Sequence, residues 1–437
     1  MNIYDSEKLF SILRASGYQR TDSFDKADVI ICNTCSVREK AHEKAFSFLG
    51  RIAEKKKKKP HLISIMAGCV AQQEGDAVFK RLPFLNIVLG TQAFERLGQH
   101  IESIQNGKFH LTDIETSSSI YESMPDSSCL DKNKISRFVT IMQGCDNFCT
   151  YCIVPYVRGR ERSRTPESIV KEISILADSG VKEITLLGQN VNSYGKKEGI
   201  CSFPELLSKI SFIDGIKRIR FATSHPKDLS DELIYAMGNL DKVCNHLHLP
   251  VQSGSNTILK RMNRGYTREN YLERISKLKE NSPDIALSSD MIVGFPGETE
   301  EDFNDTISII KQIEFDGLFA FAYSDRPNAP AAKFAEKIEK KEKMARLNLL
   351  LELQESYTKK KNKAMVGSME YVMVEGQSLK KRHYLKGKGD NNIPQMTGRT
   401  DSGKIVHFRG KNITPGDIIS IRIKNAYPHS LWGEIIR

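Results

Sequence analysis

Three cysteines dominate the chemistry available to this chain: Gly144-Cys145-Asp146-Asn147-Phe148-Cys149-Thr150-Tyr151-Cys152. Gaps of three and two residues let a single loop wrap a [4Fe–4S] cube, ligating three irons and leaving the fourth open. A zinc site ordinarily takes four protein ligands, and no further Cys or His follows at zinc-ribbon spacing. The open iron can chelate the amino and carboxylate groups of S-adenosylmethionine and pass an electron into its sulfonium, which releases a 5′-deoxyadenosyl radical. In such chemistry the protein binds, orients and excludes water. The competing reading is three buried structural thiols.

The chain has nine cysteines in 437 residues. An odd count speaks against a disulfide framework and for metal ligation or free thiols. Just past the loop, Arg158, Arg160, Arg162 and Arg164 form a basic stretch. It suits either nucleic-acid phosphates or the charged start of a helix. The formal charge is +11, and residues 367–437 carry twelve Lys and Arg against six Asp and Glu. A basic terminal module fits a nucleic-acid partner, and equally a solvated surface. Lys55 to Lys59 reads as a solvated helix end, with RNA contact as the alternative.

The elements that must position these residues fall into an α/β organisation. Residues 1–115 form a small N-terminal parallel α/β domain. It opens with a helix capped by Asp5 or Ser6, with Gly17 past its end. The apolar runs Val29–Ile31 and Leu62–Met66 each lead into a cysteine-bearing loop. Residues 116–134 are a polar linker holding Cys129. Residues 135–364 repeat strand then helix, with strands at Phe138–Met142, Glu183–Leu187, Lys217–Ala222, His246–Leu249, Ala286–Ile292 and Leu318–Tyr323. Six such units form a partial parallel (β/α)6 barrel, where chemistry gathers at the C-terminal strand ends. Thr165, Pro166 and Gly180 punctuate its first helix. A charged helix, Lys340–Lys363, leads to residues 367–437. Their short runs Tyr371–Val374, Ile405–Phe408 and Ile418–Ile423 suit a small OB-like β-barrel. No apolar stretch approaches membrane-spanning length and no leader pattern opens the sequence, so a cytoplasmic protein is expected.

The cysteine loop resembles the radical S-adenosylmethionine superfamily. Nearly the whole chain is similar to its MiaB family of methylthiotransferases, which act on N6-isopentenyl-adenosine 37 of tRNA. The matching stretches, in family order, begin with Asn33-Thr34-Cys35-Ser36-Val37-Arg38-Glu39-Lys40-Ala41, Gly68-Cys69-Val70-Ala71-Gln72 and Pro155-Tyr156-Val157-Arg158-Gly159. Leu187-Gly188-Gln189-Asn190-Val191-Asn192-Ser193-Tyr194 and His248-Leu249-Pro250-Val251-Gln252-Ser253-Gly254-Ser255 follow. Met262-Asn263-Arg264-Gly265-Tyr266-Thr267-Arg268 and Asp290-Met291-Ile292-Val293-Gly294-Phe295-Pro296-Gly297-Glu298 complete them.

The resemblance implies S-adenosylmethionine and two [4Fe–4S] clusters, the second held in the first domain, with Cys35 and Cys69 matching two of its three ligands. Cys32 then reads as core, and Cys201 and Cys244 as packing or loop thiols. The family's first auxiliary ligand lies in a Gly-Cys-x-Met-Asn motif, of which Met1-Asn2 are the last two residues. A start placed too far downstream is therefore expected, with a strand of the first sheet missing. In the family, the radical takes hydrogen from C2 of the adenine, sulfur associated with the auxiliary cluster adds there, and a second S-adenosylmethionine supplies the methyl group.

By position, Gln189 and Asn190 match the site for the methionine amino group, Gln252 and Ser253 the ribose site, and Asp290 the approach to adenine. Loop structure alone is the other account of each. Tyr151 either packs on the adenine or shields the cluster. The last domain corresponds to an RNA-binding TRAM domain, in which Phe408, Arg409, Lys411 and Trp432 suit stacking and phosphate contact, one aromatic being core. An electron donor such as flavodoxin or ferredoxin and a monomeric state are expected. Two related methylthiotransferases compete, one for threonylcarbamoyl-adenosine in tRNA and one for an aspartate of a small-subunit ribosomal protein. The stretch Gly398-Arg399-Thr400-Asp401-Ser402-Gly403-Lys404, followed by Phe408-Arg409-Gly410-Lys411, favours RNA over the latter. A non-catalytic iron–sulfur RNA-binding protein is the remaining alternative.

Overall fold

The computed structural model describes residues 1–36, 39–116, 120, 134–378 and 393–436. Cys129 and almost all of the expected linker lie outside them.

The N-terminal sheet is parallel, with strands β1 (Val29–Thr34), β2 (Ile63–Gly68), β3 (Ile87–Leu89) and β4 (Leu111–Asp113) adjacent in that order. Apolar residues cover both faces, as parallel sheets require. Leu49, Met66 and Val88 lie in one layer; Ile65, Ile87 and Leu97 lie in the other. β1 is the edge strand, and a cavity of about 1150 Å³ runs along it beneath the first helix and beside Arg137, Phe138 and Glu172.

That first helix spans Asn2–Ala15 and starts before its expected caps. Asp5 is no cap. It is buried inside the first turn, and its carboxylate accepts from the Arg158 guanidinium at 2.6 Å. The lysine run closes the helix Glu39–Lys58, but it is less solvated than expected. Lys55 pairs with Asp25, Lys59 with Asp28, and Lys56 turns inward to Asn86.

The central strands are β5 (Ser136–Thr140), β6 (Glu183–Leu187), β7 (Arg218–Phe221), β8 (His246–His248), β9 (Ala286–Val293) and β10 (Gly317–Ala322). They pair in parallel as two three-stranded sheets, and a bridge from Ile219 to Val243 joins them into one partial barrel. Ile184, Ile219, Leu247 and Met291 point outward into a core shared with the covering helices. On β9 the alternating Ser288 and Asp290 face the other way, where Ser288 Oγ lies 3.1 Å from His246 Nε2 and 3.0 Å from His248 Nδ1. Thr165 caps the helix Pro166–Asp178 through Ser168 N.

After the helix Lys340–Ala364, five strands close a barrel: β11 (Met369–Gln377), β12 (Gln395–Thr400), β13 (Ile405–Arg409), β14 (Ile418–Tyr427) and β15 (Ser430–Ile435), in the order β11-β12-β13-β15-β14. Its β12–β13 turn docks against the central barrel. Arg220 donates to Thr400 O and Asp401 O at 2.9 and 2.8 Å, and Asn245 N donates to Asp401 Oδ2 at 2.6 Å. Among the described residues no helix is long and apolar enough to cross a membrane.

Candidate active site

The three-cysteine loop leaves the top of β5, where Met142–Gln143 pairs with Arg162–Ser163 to close its base. Gly144 has φ +78°, and a Cβ there would sit 2.0 Å from Arg160 O, so only glycine lets the loop turn. Its N–H donates to Gln189 Oε1 at 2.6 Å, tying the end of β6 to the loop. From the other side the segment Met262–Arg264 cradles it. Thr150 N–H donates to Met262 O at 3.0 Å, the Thr150 hydroxyl to Arg261 O at 2.9 Å, and Asn263 Nδ2 to the carbonyls of Asn147 and Phe148 at 3.1 Å.

All three sulfurs already receive a donor, Cys145 from Asn147. Val154 N–H points at Cys152 Sγ (3.4 Å) and the Arg264 guanidinium at Cys149 Sγ (3.3 Å). Such contacts suit ionised thiolates around an iron–sulfur cube. Burial pushes the Cys145 thiol up to about 11 and the Cys152 thiol up to about 12, so metal must displace protons to bind. Among the described residues no three His, Cys, Asp or Glu converge on one ion position. Three thiols on one loop, each met by a donor, are the donor set that three corners of an iron–sulfur cube take.

The remaining site residues divide. Tyr151 packs with Met262 and Phe295, and its hydroxyl accepts from Arg264 at 3.2 Å, which favours shielding over contact with adenine. Asn190 is buried; its Nδ2 donates to Asp228 at 2.8 Å, while its Oδ1 is buried without a partner. Gln252 adopts φ +74° and its backbone pairs with Asp290 O and Ile292 N. Asp290 stands beside His248 at 3.5 Å on the inner face. Ser253 is a correction. It is 1% exposed, and its hydroxyl meets the Thr306 hydroxyl on the helix Glu300–Ile313 and accepts from Ser255 N, so its side chain serves the loop rather than an open ribose site.

The basic stretch is also corrected in part. Arg158 pairs with Asp5, and Arg164 pairs with Glu172 at 2.6 Å, both fully inside the protein. A buried, neutralised guanidinium cannot reach a phosphate. Arg160 is exposed, lying over the Phe148 ring, and Arg162 is half-buried. In the last barrel Phe408 is 0% exposed among Val372, Val406 and Ile421, so it is the core aromatic and cannot stack on a base. Arg409 and Trp432 are half-buried and Lys411 is exposed. The Thr400–Asp401 turn faces the central barrel, so the charge of Gly398–Lys404 does not bear on the choice between RNA and protein substrates.

Cys35 and Cys69 are brought together by register. Thr34 pairs with Gly68, so the residues that follow them leave the same sheet edge side by side. Gly68 has φ +93°, and a Cβ there would lie 2.5 Å from Thr34 O. Arg158 also hydrogen-bonds Cys69; burial opposes its charge, but the charges of Asp5 and Cys69 outweigh burial and hold it ionised. Cys32 packs against the apolar layer, where burial lifts its thiol to about 11. Arg264 lies in the Met262–Arg268 stretch that carries the family resemblance, where an Arg flanked by Asn and Gly is the one local signal of its place beside Cys149.

Three family descriptions match successive parts of the chain: the uncharacterized protein family UPF0004 over residues 1–90, the radical SAM superfamily over 139–310 and the TRAM domain over 363–436. Among solved structures, the radical S-adenosylmethionine methyltransferase TsrM from Kitasatospora setae superposes with a TM-score of 0.57. That match has 14% identity over 76% of this chain and 72% of that one. The cobalamin-dependent S-adenosylmethionine radical enzyme OxsB gives 0.52 and 14% over 80% and 53%. Both likenesses concern the fold. Proteins called tRNA-2-methylthio-N(6)-dimethylallyladenosine synthase are far more similar. The one from Desulfosudis oleivorans is 48% identical over 99% of this chain and 94% of its own length. That from Syntrophus aciditrophicus is 48% identical over 100% and 92%. At that identity across the full length, the chain belongs to the family of tRNA-2-methylthio-N(6)-dimethylallyladenosine synthases.

Proposed function

We propose that this chain is a radical S-adenosylmethionine methylthiotransferase that converts N6-isopentenyl-adenosine 37 of tRNA to its 2-methylthio derivative. The observation that carries the reading is full-length similarity to enzymes of that name, joined to a loop that presents Cys145, Cys149 and Cys152 at the top of β5. When bound, the iron–sulfur cube and S-adenosylmethionine supply radical chemistry able to break an unactivated C–H bond.

The residues themselves bind and orient. Cys145, Cys149 and Cys152 would hold three irons of the cube, and Tyr151 covers the loop against water. The unpartnered Oδ1 of Asn190 and the side chain of Gln189 suit an ammonium donor, and Gln252 and Asp290 suit the nucleoside half of the cofactor. Cys35 and Cys69 would supply two of the three ligands of a second [4Fe–4S] cluster. Arg160, Arg162, Arg409 and Lys411 supply phosphate contacts, whose affinity falls with salt. A single-electron donor of the flavodoxin or ferredoxin kind reduces the enzyme, which acts as a cytoplasmic monomer.

The test is anaerobic reconstitution with iron, sulfide, dithionite, S-adenosylmethionine and isopentenylated tRNA, followed by mass spectrometry of nucleosides. The 2-methylthio nucleoside is expected. Release of 5′-deoxyadenosine without it removes the substrate assignment, and no 5′-deoxyadenosine at all removes the enzyme assignment.

A further inference from the structure

Six arginines are buried among the described residues, and five have a carboxylate. Arg158 pairs with Asp5 at 2.6 Å, Arg164 with Glu172 at 2.6 Å, Arg346 with Glu298 at 2.7 Å, Arg137 with Glu7 at 3.0 Å and Arg218 with Asp401 at 3.8 Å. The sixth, Arg264, is 4% exposed. Its donors go to Pro250 O (2.8 Å), the Tyr266 hydroxyl (3.0 Å), the Tyr151 hydroxyl (3.2 Å) and Cys149 Sγ (3.3 Å). No carboxylate among the described residues pairs with it.

A guanidinium cannot shed its proton in a protein, and an uncompensated buried charge is expensive. Of its four partners, three are neutral oxygens. Only the Cys149 sulfur takes a full negative charge in ordinary chemistry, and it takes one when it ligates metal.

We propose that Arg264 is a positioning residue that sets the reduction potential of the cluster held by Cys145, Cys149 and Cys152, by fixing a permanent positive charge against the Cys149 sulfur. This rests on the reading of that loop as an iron–sulfur ligand set. Hydrogen bonds to ligand sulfurs and nearby charge are the protein's levers on such potentials. Adding an electron makes the site more negative, and a fixed cation in a dry, low-dielectric surrounding favours that state. The electron comes from an external one-electron reductant, and no bond to the protein changes.

The geometry is rigid enough to hold the effect constant. Tyr266 donates onward to Val251 O at 2.7 Å, and the neighbouring Asn263 grips the cluster loop through two carbonyls at 3.1 Å. Arg264 and Cys149 therefore move together. Lysine keeps the charge but cannot span the four acceptors with one planar fork.

The experiment compares reconstituted wild type, Arg264→Gln and Arg264→Lys by iron and sulfide assay and by redox titration followed by electron paramagnetic resonance. In Arg264→Gln the reduced-to-oxidised ratio at a fixed potential should fall at least tenfold, a midpoint more negative by about 59 mV or more for a one-electron couple. Arg264→Lys should recover at least half of that shift. Equal midpoints at equal iron content overturn the proposal. Should Arg264→Gln fail to load iron, pulsed resonance on reduced wild type grown with 15N-arginine decides. A guanidinium nitrogen coupling supports the contact, and its absence overturns it. A wild type that takes up no iron at this loop instead overturns the reading of the ligand set, and the iron assay shows that before any potential is measured.

Discussion

Arg218→Met should loosen the last barrel from the rest of the protein without touching either cysteine site. Arg218 opens β7, and its guanidinium reaches Arg399 O at 2.7 Å and Tyr371 O at 2.8 Å, on two strands of the terminal barrel. Methionine keeps the apolar stem and removes the cation, and with it a longer 3.8 Å ion pair to the part-exposed Asp401, which contributes little beside the two carbonyl bonds. Bonds from a charged donor contribute about 1.5–3 kcal/mol each. The low end applies because Arg220 still holds Thr400 O and Asp401 O, and water can reach the freed carbonyls at the rim. The loss is then about 3 kcal/mol, roughly a hundredfold in the docking equilibrium. The amide of Asn245 reports on it directly, since its acceptor is Asp401 Oδ2 across the interface. Hydrogen exchange with site-resolved mass spectrometry should show that amide exchanging about a hundredfold faster through local opening. Release of 5′-deoxyadenosine without RNA should be unchanged, while turnover on tRNA falls. A change in Asn245 exchange smaller than about tenfold would refute the argument, because it would mean the two carbonyl bonds hold less than about 1.4 kcal/mol.

Three further outcomes follow from particular contacts. Gly144→Ala places a Cβ 2.0 Å from Arg160 O in a left-handed backbone, so reconstituted protein should carry at most half the wild-type iron, measured per chain. Phe408→Ala empties a fully buried site and should cost about 3–5 kcal/mol of terminal-barrel stability, seen by calorimetry. tRNA affinity below the transition should hold, and a pure affinity loss would return Phe408 to an RNA face. Burial, then the charge of Arg220, pushes His246 down to about 4. Because its folded value lies below the ordinary 6.5, the stability it contributes is complete above pH 6.5 and is lost as pH falls towards 4. Urea midpoints at pH 7 and pH 5 should therefore differ, with the lower at pH 5.

The central barrel was legible because its strands are buried on the outward face and read as apolar runs, and each expected strand overlaps the observed one. The terminal barrel was half legible. Gln395–Thr400 presents only Met396, Gly398 and Thr400 to the interior, and Gln395, Thr397 and Arg399 mask the alternation. The cysteine loop could be read because its spacing is local. Its supports could not, since Arg264 reaches Cys149 across 115 positions and Arg158 reaches Asp5 across 153. The Arg158–Arg164 stretch likewise reads as one basic run, although its first and last arginines turn inward to the carboxylates of Asp5 and Glu172. Phe408 shows the limit for aromatics, because a strand residue that stacks on a base and one that fills a barrel have the same neighbours in sequence.

The helix Val154–Arg158, five residues long, couples the two cysteine sites. At its start the Val154 N–H meets Cys152 Sγ; at its end the Arg158 side chain lies between Asp5 and Cys69. Its last carbonyls are held from the first domain, Val157 O by the Thr91 hydroxyl at 2.6 Å and Arg158 O by Gln92 Nε2 at 2.9 Å. Ile153 and Val157 pack on Cys69. At about 1.5 Å per residue such a helix is only about 7.5 Å long, and it is clamped at both ends. In the proposed reaction hydrogen leaves, and sulfur arrives, at one carbon of one base, so the two sulfur-bearing sites must face a common point. A short clamped helix holds that separation, whereas a flexible linker between two independent domains would leave it to chance encounter.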